Sequence, residues 1–365
     1  MPRFEAVVQR DVPLAPLTTL GIGGGARAFM RADTQADVVS AHAWSIEHDV
    51  EMLVLGGGSN LVVADEGFDG VVLQIGLRGR TFADDGEQTR LRVSAGEPWD
   101  DVVAAAVGRG LSGIECLSGI PGSVGGTPIQ NVGAYGQEVA DTIESVTVVD
   151  RADGRASQLT ASQCEFSYRM SRFKSRDAGR FIVCEVTFRL DRRPAAATYP
   201  DVIRYLEASH VTAPAVGDVR HAVLAIRRRK GMVIDPADPD TRSVGSFFMN
   251  PVVTTETRER VSSVAGEAAP GYAVDDVRVK VPAAWLIERA GFHKGFVDGP
   301  VGISTKHPLA LVNRGGATAR DVLRLARRIK QCVGERFGVW LVPEPIFVGF
   351  TADADVEYLR AERSE

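Results

Sequence analysis

The chain has 365 residues, 44% hydrophobic and 24% charged, long enough for two or three domains with sizeable cores. A formal net charge of −5 argues against a dedicated nucleic-acid binder. No apolar run approaches the roughly 20 residues that cross a bilayer, and the 4 cysteines and 6 histidines lack the spacing of a zinc motif or a disulfide scaffold.

From the N-terminus, Met1-Pro2-Arg3-Phe4-Glu5-Ala6 lacks a hydrophobic signal core, so the expected location is the cytoplasm. Residues 34–48 read as a helix capped by Thr34 with Asp37, with Val38, Val39, His42 and Ile46 on one face. Short apolar runs at 52–55 and 71–75 read as strands, as does 90–94. A helix follows with Pro98 in its first turn and Gly110 beyond its end. Strands are expected at 146–149 and, by alternation, at 182–190. A Pro/Ala-rich connection spans 191–200, and a breaker-rich loop at 235–240 marks a domain crossing. The last strong helix is 318–336, followed by an apolar strand over 339–350 interrupted by Pro343 and Pro345. Strands and helices mix without strict βαβ alternation, which predicts an α+β fold.

Glycine makes up 38 of the 365 residues, and it clusters. One cluster is Gly56-Gly57-Gly58 before Ser59 and Asn60; the other places Gly119, Gly122, Gly125, Gly126, Gly133 and Gly136 within eighteen residues. Bare backbone lets N–H groups approach an anion closely, so two such loops could cradle a pyrophosphate. Tight turns are the other reading of either loop alone, and a weaker one for both together. The P-loop pattern is absent, and no helix of the Rossmann kind follows Gly58.

The run Leu55 to Leu61 and the run Ile120 to Gly125 resemble the flavin-binding loops of the vanillyl-alcohol-oxidase type FAD fold. The stretch Pro128 to Gly136, the pair Tyr168-Arg169, Gly245-Ser246-Phe247-Phe248 with Asn250-Pro251, and Pro343-Glu344-Pro345 narrow the match. In order and spacing, from about Leu14 to Phe350, they resemble the UDP-N-acetylenolpyruvoylglucosamine reductase family, in its longer subclass. The resemblance implies two α+β FAD-binding subdomains, 1–79 with 347–365 and 80–230, and a C-terminal α+β substrate-binding domain, 231–346. It implies FAD, held noncovalently since neither loop carries a histidine, and NADPH as hydride donor in the cleft the sugar uses afterwards. The implied substrate is UDP-N-acetylglucosamine enolpyruvate, with no obligate protein partner.

Hydride addition at the enolpyruvyl C3 leaves negative charge at C2 that spreads into the carboxylate. Such charge needs a fixed donor or cation, and the carbon needs a proton. The resemblance assigns the cation to Arg169, the proton to Ser246 and a supporting carboxylate to Glu344. It assigns FAD contacts to Gly56, Gly57, Gly58, Ser59, Asn60, Pro121, Gly122, Ser123, Gly125, Gly126, Asn131, Gly133, Ala134, Tyr135 and Ile182. Substrate contacts fall on Tyr168, Tyr199, Lys230, Asn250, Tyr272, Lys294 and His307, the last where relatives often carry Gln. The run Arg227-Arg228-Arg229-Lys230 has a second explanation, since basic residues suit a helix C-terminus. A flavin oxidase of the same fold shares the loops but has no need of Ser246 and Glu344.

Overall fold

The computed structural model describes residues 8–192 and 197–362. The middle of the expected connection, 193–196, and the ends of the first expected subdomain, 1–7 and 363–365, lie outside the described residues. The chain divides into two compact units, one of Met1–Val12, Ala26–Gly58 and Asp69–Val233, the other of Pro13–Gly25, Ser59–Phe68 and Ile234–Glu365.

Two sheets build the first unit. In one, the strands run in the order Gln9–Pro13, Gly25–Ala32, Phe68–Ile75, Met52–Leu55, with the last two parallel. In the other, five antiparallel strands run Ala156–Thr160, Ile143–Asp150, Phe181–Asp191, Gln88–Ser94, Arg80–Asp85. Inward residues of the long strand Phe181–Asp191, among them Ile182, Cys184, Val186, Phe188 and Leu190, enter one core with Trp99, Val102 and Val103 from the helix Trp99–Val107. Period-2 alternation on a sheet covered on one face explains this pattern. Pro98 stands just before that helix, at its N-cap, instead of in its first turn.

The helix Gln35–Glu47 starts with the expected reciprocal cap: Asp37 N–H donates to Thr34 Oγ1 at 3.2 Å and Thr34 N–H to the Asp37 carboxylate at 2.8 Å. Its buried face is Val38, Ala41, His42, Trp44 and Ser45, while Ile46 is 64% exposed. The expected face is therefore corrected. Eight positions on, Ile46 lies about 80° past Val38, beyond the edge of the buried stripe.

In the second unit, a four-stranded antiparallel sheet runs Ser243–Ser246, Ala310–Asn313, Val301–Ile303, Val297–Asp298. The helix Ala319–Phe337, capped by Thr318 and Asp321, presents Val322, Leu325, Ile329 and Val333 to its core. The single strand expected over 339–350 shrinks to Ile346–Val348, which pairs in parallel with Leu61–Val63. Pro343 and Pro345 lack the N–H a ladder requires, so before Ile346 pairing is limited to an isolated antiparallel bridge of Pro343 with Phe248. Among the described residues, no helix is long and apolar enough to cross a membrane.

Candidate functional site

In the first unit the two glycine loops touch. A Cβ added to Gly57 would stand 2.6 Å from Gly122 Cα, and one on Gly56 would stand 2.5 Å from Ser123 Oγ. Gly125 lies equally tight against Ala95, at 2.7 Å. These glycines permit loop-on-loop packing, a use the reading from sequence did not include. Gly126 differs, because a Cβ there meets nothing within 4 Å. Among the described residues, the N–H groups of Gly57, Gly58, Gly122 and Ser123 take part in none of the turn and loop backbone hydrogen bonds. Two apposed stretches of bare backbone with donors left over suit a dinucleotide pyrophosphate, so the residues fit FAD. Ile182 is fully buried in the strand core of this unit.

The second loop continues into a stitched turn. Asn131, 1% exposed, donates from Nδ2 to Glu138 Oε2 at 2.6 Å and to Ser167 O at 3.0 Å, and accepts from Ala140 N–H at 3.1 Å. Ser167 and Met170 exchange two backbone hydrogen bonds at 3.0 Å, which turns Tyr168 and Arg169 outward as a two-residue tip. Arg169 Nη2 donates to Gly133 O at 2.6 Å, and its guanidinium lies 5.4 Å from the Tyr168 ring centre. Asn131, Tyr135 and Arg169 have φ of 46°, 50° and 55°. Left-handed backbone at bulky residues is strained, and such strain gathers at functional sites.

Tyr135 meets Tyr199 edge-on, with ring centres 5.3 Å apart. Tyr199 precedes the helix Pro200–Ala208, and Asp201 in its first turn accepts from Lys230 Nζ at 3.2 Å. Although burial pushes the Asp201 carboxyl up, Lys230 and Arg204 hold it below the ordinary range. The helix Val216–Arg229 and its cap sort the basic run by direction: Arg227 points in and is buried, Arg228 and Arg229 face solvent, and Lys230 reaches Asp201. Arg227 Nη2 donates to Met232 O at 2.8 Å, and burial lowers its guanidinium pKa, with Tyr135 and Asp100 pulling the other way. Burial raises the Tyr135 phenol in turn. Dipole compensation alone therefore does not account for this run.

In the second unit Ser246 ends the strand Ser243–Ser246, with Phe247 N–H donating to Leu309 O at 2.8 Å. Glu344 N–H donates to Phe247 O at 2.9 Å and Met249 N–H to Val342 O at 3.0 Å, so the Ser246 and Glu344 segments lie side by side. Asn60, leaving the first glycine loop, donates from Nδ2 to Glu344 O at 3.3 Å. His307 Nε2 lies 3.5 Å from Ser246 Oγ. Asn250 Oδ1 accepts from Ala283 N–H at 2.9 Å and so caps the helix Ala283–Arg289. Tyr272, 66% exposed, lies on a three-stranded edge opposite Lys280, and Lys294 is exposed on a turn. Within their own units, Arg169, Tyr168, Asn131 and Gly133 converge, as do Tyr135, Tyr199 and Lys230, and Ser246, Glu344, Asn60 and His307. Glu138, Asp201 and Arg227 take part without having been expected. The basic run itself was visible in the sequence, but not which of its four cations would be buried.

Residues 26–160 match the FAD binding domain family, and residues 236–348 match the family described as UDP-N-acetylenolpyruvoylglucosamine reductase, C-terminal domain. The chain is 51% identical to UDP-N-acetylenolpyruvoylglucosamine reductase of Thermobifida fusca, over 94% of this chain and 98% of that one. It is 48% identical to the enzyme of that name from Streptomyces coelicolor, over 93% and 90%. The crystal structure of UDP-N-acetylenolpyruvylglucosamine reductase from Thermus caldophilus superposes with a TM-score of 0.65 at 29% identity, over 93% of this chain and 98% of that one.

Proposed function

Because the chain belongs to the UDP-N-acetylenolpyruvoylglucosamine reductase family, FAD-dependent oxidoreductases with a vanillyl-alcohol-oxidase type FAD-binding domain, we propose that it reduces UDP-N-acetylglucosamine enolpyruvate to UDP-N-acetylmuramate with NADPH. The observation that supports this reading is the side-by-side backbone pairing of the segments that carry Ser246 and Glu344 in the second unit.

The apposed loops around Gly57 and Gly122 would hold the FAD diphosphate through backbone N–H groups. FAD held there would supply the hydride chemistry, with NADPH as donor and the enolpyruvyl C3 as acceptor. Arg169 would face the negative charge that then develops at C2 and on the carboxylate, its fork matched to two oxygens. Ser246 Oγ–H would donate the proton to C2, and Glu344 would work with Arg169 on the intermediate. Tyr199, Lys230, Asn250, Tyr272, Lys294 and His307 would contact the UDP-sugar.

Anaerobic mixing with NADPH should bleach the flavin spectrum, and adding the enolpyruvyl sugar should restore it. Persistent bleaching after the sugar is added would overturn the reading. Flavin left on an acid-precipitated pellet would overturn the noncovalent attachment.

A further inference from the structure

The acidic, breaker-rich segment around Asp235 fastens one particular loop of the second unit. Asp238 Oδ2 accepts from Lys306 Nζ at 2.5 Å. Asp240, 6% exposed, accepts from Thr305 N–H at 3.0 Å and from Thr305 Oγ1 at 2.5 Å. From inside the loop, fully buried Ser304 Oγ accepts the N–H groups of Lys306 and His307 at 3.0 and 3.2 Å. Ala310 N–H closes the turn on His307 O at 3.2 Å. The same Ala310 is the register partner of Ser246. A short, fully bonded turn therefore presents the imidazole to the serine hydroxyl, Nε2 to Oγ at 3.5 Å. That distance is at the outer limit of a hydrogen bond, as is common for catalytic pairs before substrate closes the site.

We propose that His307 is a positioning residue for Ser246, orienting its hydroxyl and replacing the proton that it gives to C2. The proposal rests on the reading of Ser246 as the proton donor. A serine hydroxyl is a poor acid by itself, because the alkoxide it leaves is a strong base. The balance is simple. The Oγ–H bond breaks as C2–H forms, and the imidazolium Nε2–H bond breaks as Oγ–H re-forms. The neutral imidazole then regains a proton from water. Charged groups on the surrounding segments are Lys306 with Asp238, Asp240 bound to Thr305, Lys294 beside the Gly295 N–H that donates to Ser304 O at 3.1 Å, and Glu344 bonded to Phe247. Asp238 and Asp240 are thus already engaged, by Lys306 and Thr305.

The test follows reoxidation of pre-reduced enzyme mixed anaerobically with the enolpyruvyl sugar, from about pH 5.5 to 8.5, the span in which histidines titrate. The wild-type rate should fall about tenfold as pH rises, and His307→Gln should flatten that limb. Independently of turnover, the Nε2 signal of His307 in histidine-selective nitrogen NMR should move in Ser246→Ala. A wild-type pH limb retained in His307→Gln, or an Nε2 signal indifferent to Ser246→Ala, overturns the role of His307. Undiminished reoxidation in Ser246→Ala overturns the donor reading instead, so the two failures are told apart.

Discussion

In the first unit Asn131, Tyr135 and Arg169 are all held at positive φ, whereas in the second Ser246, Glu344 and His307 sit on ordinary strand ends and turns. The first arrangement stores strain of about 1–3 kcal/mol per residue and needs compensating bonds. Asn131 supplies three, to Glu138, Ser167 and Ala140, and Arg169 adds one to Gly133. The second arrangement depends on register: Ser246 opposite Ala310, and Phe247 bonded to both Leu309 and Glu344. Strain aims a side chain where no regular element could, but it fails when a single compensating side chain is lost. Register spreads the same task over many backbone bonds.

The largest effect expected from this contrast is at the strained tip. Arg169→Lys keeps the charge but loses the planar fork, and kcat should fall on the order of 10²–10³ with flavin content unchanged. Retention of near wild-type kcat would mean that the φ of 55° at Arg169 serves only the turn. Next, Asn131→Ala removes three hydrogen bonds at a residue 1% exposed, and should destabilise the protein by about 2–3 kcal/mol in denaturant titration. A loss below about 0.5 kcal/mol would show that strain there needs no such stitching.

The glycine loops give a finer comparison. Gly57→Ala places a methyl group 2.6 Å from Gly122 Cα and must part the two loops, costing about 1–3 kcal/mol. Gly126→Ala meets nothing within 4 Å in the protein, so stability without flavin should be unchanged while flavin affinity drops. Fluorimetric titration of flavin-stripped protein, with its melting temperature, separates the two. Equal behaviour of the variants would remove the distinction between packing and ligand-facing glycines.

The smallest effect concerns Asp100, which accepts from Arg220 at 2.6 and 2.9 Å and from Gly119 N–H at 2.6 Å. Burial pushes its carboxyl up, but these bonds win and hold it below the ordinary value. A depressed folded pKa gives stability that is present above the unfolded value, about 3.9, and lost as pH falls through the folded one. After allowance for partial exposure the amount is under about 1 kcal/mol. Asp100→Asn should therefore lose less stability than wild type on acidification below about pH 4. Parallel acid curves would assign the bond between the second loop and this helix no linkage to pH.

Much of the fold was legible in the sequence because its signals are local. Thr34 with Asp37 and Thr318 with Asp321 announce helix starts within four residues, and the alternation from Ile182 to Leu190 announces a covered strand. The exposed Ile46 was misread because one apolar residue near a stripe's edge does not reveal which way the helix rolls onto its sheet. The strand expected over 339–350, interrupted by Pro343 and Pro345, is shorter than expected, because the two prolines confine regular pairing to Ile346–Val348. At the site, Arg169, Ser246 and Glu344 were readable only as short motifs whose order matched a family. Nothing in the run Asp235 to Asp240 beyond its turn residues pointed to Thr305 and Lys306.

The sequence by itself determined the α+β character, the two bare-backbone loops and the family, because helix period, strand alternation, missing Cβ atoms and motif order are all written along the chain. Tertiary structure decided that Gly57 packs on Gly122, that Arg227 is buried while Lys230 meets Asp201, and that His307 faces Ser246. Those partners stand 61 positions apart for Ser246 and His307 and 284 apart for Asn60 and Glu344. Contacts at such separations form only when the cores of the units close and fix the register of their strands, a choice that no local rule of backbone or side chain encodes.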